Sequence, residues 1–233
     1  MKSKLYLIPT LLSDDAIHVI PSYVLAIINS IDEFVVENEK SARQFLKKAG
    51  YKKPWNNVRL HLLNEHTRPD EISELMNPLL EGKNMGLLSE AGCPAVADPG
   101  AELVQAAQRL AIRVIPLVGA SSVILSLMAS GLNGQSFLFA GYIPKERAAR
   151  IKALTEMEKV AIKKNQTQIF IEAPYRNQHL LEDILEHCDQ DTLLCIACEM
   201  TGENEFIKTK SISEWKKKVP DINKRPTIFL IGR

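Results

Sequence analysis

The first half of the chain repeats one rhythm: a short apolar run, then a longer stretch with apolar residues at helical spacing. The runs predict strands at Lys4–Ile8, Glu33–Val36, Val58–Leu63, Met85–Leu88 and Arg113–Leu117. The stretches between them predict helices at Asp15–Asn29, Lys40–Ala49, Pro69–Leu80 and Pro99–Ala111. In the last of these, Leu103, Ala106, Ala107 and Leu110 lie at i, i+3, i+4 and i+7, the stripe of an amphipathic helix. Strands separated by helices cannot pair through tight hairpins, so this alternation predicts a parallel sheet wrapped by helices.

The rhythm changes after Pro116-Leu-Val-Gly119. A small-residue helix is expected at Ala120–Ser130, ended by Gly131. Strands are expected at Ser136–Tyr142, Thr167–Glu172, Leu193–Cys198, Glu205–Thr209 and Thr227–Ile231, with helices at Lys145–Lys164, Asn177–His187 and Ser213–Val219. The last strands follow one another closely, which predicts antiparallel pairs in a mixed sheet. We therefore expect an α/β chain of two domains. Residues 1–117 form an N-terminal α/β domain with a mainly parallel sheet, and residues 118–233 form a C-terminal α/β domain with a mixed sheet.

Composition excludes several classes. The 233 residues are 45% hydrophobic, enough for a sizeable core, and the formal net charge of +1 gives no whole-chain attraction to nucleic acid. Any such binding must rest on local patches. Four cysteines are too few for a disulfide scaffold. Cys195-Ile-Ala-Cys198 lies in a strand-like run, where positions three apart face opposite sides, so it reads as two core cysteines and no metal site is expected. No run approaches the length of a membrane span, and a cytoplasmic protein is expected. The first strand is not followed by a glycine-rich phosphate loop, and G-x-S-x-G is absent.

The segment Leu87-Leu-Ser-Glu-Ala-Gly-Cys-Pro-Ala-Val-Ala-Asp-Pro-Gly100 is the most informative. A buried strand breaks into a small-residue loop and restarts as a helix. Gly92 permits positive φ and a close backbone approach, and Asp98-Pro99 reads as an N-cap followed by proline at the first helical position. Such a loop sets backbone amides and carbonyls at the carboxyl edge of a sheet, where open α/β proteins bind ligands.

Several motifs then match one family in order. Leu88-Ser-Glu-Ala-Gly-Cys-Pro94 with Asp98-Pro-Gly100 resembles L-S-D-A-G-T-P and D-P-G. Val114-Ile-Pro-Leu-Val-Gly119, Ser130-Gly-Leu132 and Phe139-Ala-Gly-Tyr-Ile-Pro144 resemble V-x-P-x-P-G, A-G-L and G-F-L-P. Ile169-Phe-Ile-Glu-Ala-Pro-Tyr-Arg176 and Ala197-Cys-Glu-Met-Thr201 resemble F-x-E-S-x-H-R and A-R-E-L-T. Over nearly its whole length the chain resembles the tetrapyrrole methylase superfamily, the class III S-adenosylmethionine-dependent methyltransferases. Within it the chain is most similar to the branch of 16S ribosomal RNA cytidine 2′-O-methyltransferases. It departs from that branch where P-x-G-N is Leu11-Leu-Ser-Asp14, where E-D-T-R is Glu37-Asn-Glu-Lys40, where the arginine of A-R-E-L-T is Cys198, and where a closing G-E is Arg225-Pro226.

The resemblance implies S-adenosyl-L-methionine as cofactor, in a cleft between the two domains. The residues it assigns to that cofactor are Pro9, Ser89, Glu90, Ala91, Gly92, Cys93, Pro94, Gly119, Ala120, Ser121, Glu172, Ala173, Pro226 and Thr227. It also implies a ribosomal RNA or small-subunit partner and a homodimer. Methyl transfer is an in-line displacement in which positioning supplies most of the rate, worth up to about 7–11 kcal/mol. A 2′-hydroxyl is a weak acid, so a base can help. Glu37, Glu172 and Glu199, each at a strand end, are the weak candidates. Helix capping or ion pairing is the expected role for Glu37 and Glu199, and a place in the cofactor pocket for Glu172. Glu90 stands where the branch has aspartate, and we expect it to cap its own loop. Lys145, Arg147 and Arg150 on a basic helix, together with Arg176, are candidates for RNA contact. Two other readings stay open: a methyltransferase for a small molecule such as a tetrapyrrole precursor, and a non-catalytic cofactor-binding homologue.

Overall fold

A computed structural model describes residues 3–233. The chain divides into two compact units, one ending at Ser121 and the other beginning at Ser122.

The first unit is a five-stranded sheet ordered β3-β2-β4-β1-β5. Its strands are β1 (Lys4–Ile8), β2 (Glu33–Val36), β3 (Arg59–Leu62), β4 (Met85–Leu88) and β5 (Arg113–Pro116). Every pair is parallel. The helices are α1 (Ser22–Ile28), α2 (Glu39–Lys48), α3 (Pro69–Leu75), α4 (Asn77–Leu80) and α5 (Gly100–Arg109). Side chains alternate across β2, and both faces are covered. Phe34 and Val36 pack with Val24 and Ile28 of α1 and with Phe45 and Leu46 of α2. Val35 packs on the other face with Leu75, Leu79 and Leu103 of α3, α4 and α5. A parallel sheet needs this double cover, and it explains why every residue of β2 and β4 is buried.

Prolines redraw two of the expected helices. The stretch expected to be helical from Asp15 holds only a 3-10 turn (Ile17–Val19) before Pro21, and α1 starts after that proline. The helix expected over Pro69–Leu80 divides at Met76 into α3 and α4, because Pro78 has no N–H to continue the ladder.

The second unit begins with α6 (Ser122–Ser130) and contains a sheet ordered β6-β7-β10-β8-β9. Its strands are β6 (Phe137–Tyr142), β7 (Thr167–Ile171), β8 (Leu193–Cys198), β9 (Phe206–Ser211) and β10 (Thr227–Gly232). β6 and β7 run parallel, and the other three pairs are antiparallel. The long α7 (Arg147–Lys164), α8 (Asn177–His187) and the short α9 (Ile212–Lys217) pack on one face. Their core holds Trp215, whose indole N–H donates to the Leu194 carbonyl at 2.9 Å, and stacked Phe170 and Phe229. Cys198 points into this core and Cys195 does not; both are buried free thiols of β8.

Gly86 is the tightest point of the parallel sheet. A Cβ there would lie 2.6 Å from Ile8 Cδ1 and 2.8 Å from Phe34 Cδ1. Gly86→Ala should therefore cost about 1–3 kcal/mol through overpacking. Urea unfolding should show a lower midpoint at unchanged slope; an unshifted midpoint would mean the core gives way freely.

Candidate functional site

The carboxyl edge of the parallel sheet carries a folded bend at 89–98. Three strand ends meet it. The Thr10 N–H donates to the Gly92 carbonyl at 2.9 Å, and Ser89 Oγ donates to the same carbonyl at 3.1 Å. Cys93 Sγ donates to the Ala120 carbonyl at 3.5 Å. Within the bend, Asp98 accepts from the Ala95 N–H at 2.9 Å and the Gly100 N–H at 2.8 Å. Asp98 therefore caps from one residue further out than expected, because Pro99 itself occupies the N-cap position of α5. Burial pushes the Asp98 carboxyl above its ordinary value, and its two backbone donors pull the other way.

The backbone here is strained and close-packed. Ala95 and Ala97 hold φ of 65° and 60°, a region that alanine rarely adopts. Gly92 has φ +75°, and a Cβ on it would meet Leu12 Cδ2 at 3.0 Å. A Cβ on Gly119 would lie 2.2 Å from Cγ of the rigid Pro9 ring. Of the residues assigned to the cofactor by resemblance, Pro9, Ser89, Gly92, Cys93, Gly119 and Ala120 are thus drawn together by direct contacts.

Glu90 does something other than expected. Its carboxylate accepts from Ser41 Oγ at 2.7 Å, across to α2, instead of capping its own loop. Glu37 does not cap α2; Asn38 does, accepting from the Lys40 and Ser41 N–H groups. Glu37 instead accepts from the Glu90 N–H at 3.2 Å. Burial, with the nearby charges of Asp98 and Glu90, raises the Glu37 carboxyl above its ordinary value despite that backbone donor.

The second unit gathers buried polar groups where β7 and β8 end and β10 begins. Glu172 is only 4% exposed. Its Oε1 pairs with the Arg176 guanidinium and accepts the Ala173 N–H, while its Oε2 has no partner among the described residues. Asn177 donates to the Arg225 carbonyl at 2.7 Å, but among the described residues its Oδ1 is unpaired. The Thr201 hydroxyl and Arg176 Nε are likewise buried without partners among the described residues. Native proteins leave few such atoms, and each asks for a reason. Glu199 and Thr201 hold positive φ of 48° and 69° in the same region. Sequence reading missed Asn177 and Thr201; the only signal was their place at the edge of matched motifs. Glu199 pairs with Arg225 at 2.7 Å, the ionic role expected of it. Ala173 precedes a 3-10 turn (Pro174–Arg176), and Pro226 accepts the Glu199 N–H at 2.9 Å.

The basic helix is corrected by the structure. Arg150 is buried, its guanidinium on Asp183 at 2.6 Å and on the Lys145 carbonyl at 2.8 Å. Arg147 binds Asp183 and Glu186, each at 2.9 Å. Arg176 is held by Glu172 and lies over the Tyr175 ring at 4.7 Å. These cations are neutralised within the protein, which leaves Arg150 no face for a phosphate. Lys145 is exposed and makes no ion pair among the described residues. Asp183, Glu186 and His187 approach closely enough to suggest a metal, but both arginines already occupy Asp183.

Comparison with known proteins places the chain. The sequence profile of the Tetrapyrrole (Corrin/Porphyrin) Methylases matches residues 20–215. The chain is 30% identical over 233 residues to Ribosomal RNA small subunit methyltransferase I of Escherichia coli O157:H7, covering 99% of this chain and 78% of that one. It is 30% identical over 210 residues to the protein so named in Vibrio cholerae, covering 90% and 69%. Among solved structures it is similar to the methyltransferase CobJ, with TM-score 0.66 and 16% identity over 100% of this chain and 95% of that one. It is also similar to the cobalt precorrin-4 methyltransferase CbiF, with TM-score 0.62 and 14% identity over 98% and 94%. The structural likenesses establish the fold. The sequence likenesses make the protein a methyltransferase. The chain belongs to the tetrapyrrole (corrin/porphyrin) methylase family.

The buried pair of Asp183 and Arg150 sets a stability prediction. Burial alone would raise the Asp183 carboxyl, but its bonds to Arg147 and Arg150 outweigh that and hold it below its ordinary value. The pair's contribution is therefore present above the unfolded value of about 3.9 and is lost as pH falls through the lower folded value. At neutral pH, Arg150→Leu should lower stability by about 1.5–3 kcal/mol, since it removes the buried partner of Asp183 and leaves only Arg147 on that carboxylate. Thermal melting of the variant would show this; an unchanged melt with weakened RNA binding would restore Arg150 as a surface cation.

Proposed function

We propose that the protein is an S-adenosylmethionine-dependent methyltransferase that modifies a ribose 2′-hydroxyl of small-subunit ribosomal RNA. The observation that carries this reading is likeness, over most of both chains, to proteins named as ribosomal RNA small subunit methyltransferase I. The site chemistry supports it. The cofactor supplies an electrophilic methyl on a sulfonium. The bend at 89–98 offers main-chain carbonyls and amides, with Gly92 and Gly119 at points that a Cβ would crowd. The orphaned Glu172 Oε2 suits a hydroxyl or ammonium donor of the cofactor, and the unpaired Asn177 and Thr201 oxygens lie at the start of α8 and shortly after the end of β8. Ser121, Ala91, Pro94, Pro226 and Thr227 complete the assigned set.

Positioning the acceptor oxygen is the main task of the protein. Glu199 is committed to Arg225, and the open oxygen of Glu172 is assigned to the cofactor, so neither is proposed as the base for the acceptor proton. The exposed Lys145 is the best placed of the RNA-contact candidates, since Arg147 and Arg150 are spent on carboxylates. That neutralisation favours, as a second reading, a small-molecule acceptor in place of RNA. We also infer a homodimer. The edge strand β6 exposes Phe137, Leu138 and Tyr142, and α6 exposes Ile124 and Met128, apolar side chains that a second copy would cover. No helix among the described residues is long and apolar enough to cross a membrane. A ribosomal substrate supports a cytoplasmic protein.

Ribose methylations mapped by mass spectrometry, in strains with and without the gene, test the acceptor. One 2′-O-methyl nucleoside of small-subunit RNA should disappear; persistence of all of them would refute RNA as acceptor. Gly92→Val tests the bend, because valine tolerates positive φ poorly. Calorimetry with the cofactor should show a loss of at least about 100-fold, some 2.7 kcal/mol, with cooperative melting retained. Unchanged affinity would remove the bend from the cofactor site.

A further inference from the structure

Beyond the bend, the parallel sheet has a second feature. The chain leaving β2 turns through α2 toward β3 at one edge; the chain leaving β4 turns through α5 to β5 at the other. Their helices cover opposite faces. Where outgoing connections of neighbouring strands diverge, an open α/β sheet leaves a crevice at its carboxyl edge. A pocket of about 80 Å³ occupies that place.

Its floor is apolar. Val36, Phe45 and Leu88 are buried beneath it and present hydrocarbon to a flat ring. Its polar lining holds three carboxylates, Asp14, Glu37 and Glu90, beside the Gln44 amide and the hydroxyls of Thr10, Ser41 and Ser89. Glu37 accepts from the Glu90 N–H, and the Glu90 carboxylate accepts from Ser41 Oγ. The only lining cation, Lys48, is already bound to the Asp14 carboxylate at 2.6 Å and its carbonyl at 3.0 Å. A phosphate is therefore repelled here, whereas a hydrogen-bond donor is attracted. The raised Glu37 carboxyl agrees with a partly desolvated site under negative potential. The wall shared with the 89–98 bend is Ser89 and Glu90, so a group in the pocket lies beside the residues assigned to the cofactor. Two segments that depart from the branch pattern, 11–14 and 37–40, contribute Leu11, Asp14 and Glu37 to its lining.

We propose that this pocket takes an unstacked base of the RNA acceptor carrying an exocyclic amino group, with the Glu37 carboxylate accepting from that amino group. The proposal rests on the RNA reading above. A carboxylate accepts from a base amine and repels the oxo group that replaces it. Single-stranded bases are read in this way once splayed from their stack. Glu37 is then a specificity determinant that touches the acceptor, and the cofactor is held elsewhere.

The test is methylation of an RNA carrying the mapped nucleotide, with the amino-bearing base at the target or a neighbour replaced by its oxo counterpart. Wild-type protein should lose about 10- to 100-fold in kcat/KM on one such substrate. Glu37→Gln should be slowed by a similar factor on the native RNA and should no longer distinguish amino from oxo. Its affinity for S-adenosylhomocysteine should match wild type by calorimetry, which also shows that it is folded. Ser41→Leu, which narrows the mouth, should lose rate on both RNAs. If Glu37→Gln keeps wild-type discrimination, or wild type ignores every oxo replacement, the proposal fails. If no RNA is methylated at all, the RNA reading fails separately. Saturation-transfer NMR with cytidine, guanosine and uridine on protein saturated with S-adenosylhomocysteine then decides the pocket. A preference for the amino nucleosides that Glu37→Gln abolishes sustains it, and equal signals overturn it.

Discussion

The carboxylate of Asp98 holds the first unit's site in shape. A parallel strand buried on both faces must end abruptly, and the chain between β4 (to Leu88) and α5 (from Gly100) folds back on itself as a bend before the helix starts. The two backbone N–H groups gathered by Asp98, from Ala95 and Gly100, close that turn. The left-handed conformations of Ala95 and Ala97 are kept within it. Such conformations cost of order 1–3 kcal/mol each and persist only where the surroundings over-determine them. Here the surroundings are Asp98 inside the bend, Thr10 and Ser89 on the Gly92 carbonyl, and Cys93 on Ala120. The result is a stretch of main chain presented rigidly at a sheet edge.

The second unit approaches ligand chemistry differently. It uses buried side chains, not bent backbone. Glu172 and Asn177 are sealed in, each with one oxygen satisfied by nothing among the described residues. The arginine on Glu172 makes its burial tolerable by neutralising the charge while leaving the second oxygen open. One unit thus offers shape and main-chain dipoles, and the other offers a charge-compensated acceptor.

Much of the fold could be read from the residues. Apolar runs such as Met85–Leu88 and Val35-Val36 announce strands buried on both sides, and their alternation with amphipathic stretches dictates a parallel sheet. The bend could be read from Gly92, Pro94 and Asp98. What sequence could not give were partners across distance. Arg150 looked like one cation on a basic helix because its mate, Asp183, lies on another helix 33 residues away. Glu90 looked local because Ser41, its partner, is 49 residues back. Periodicity tells which face of an element is buried, not which polar group waits there. Pro21 and Pro78 were visible, but the apolar periodicity around them masked how far each would shorten a helix.

Cys93 carries a consequence for durability. Its sulfur lies in the bend, half-buried, with its hydrogen directed at the Ala120 carbonyl, and burial pushes the thiol above its ordinary value. Thiolate, not thiol, is the species that attacks electrophiles. On the proposed reading, a methyl donor resting against this loop would meet sulfur in its inert form, and the loop would escape alkylation by the molecule it holds.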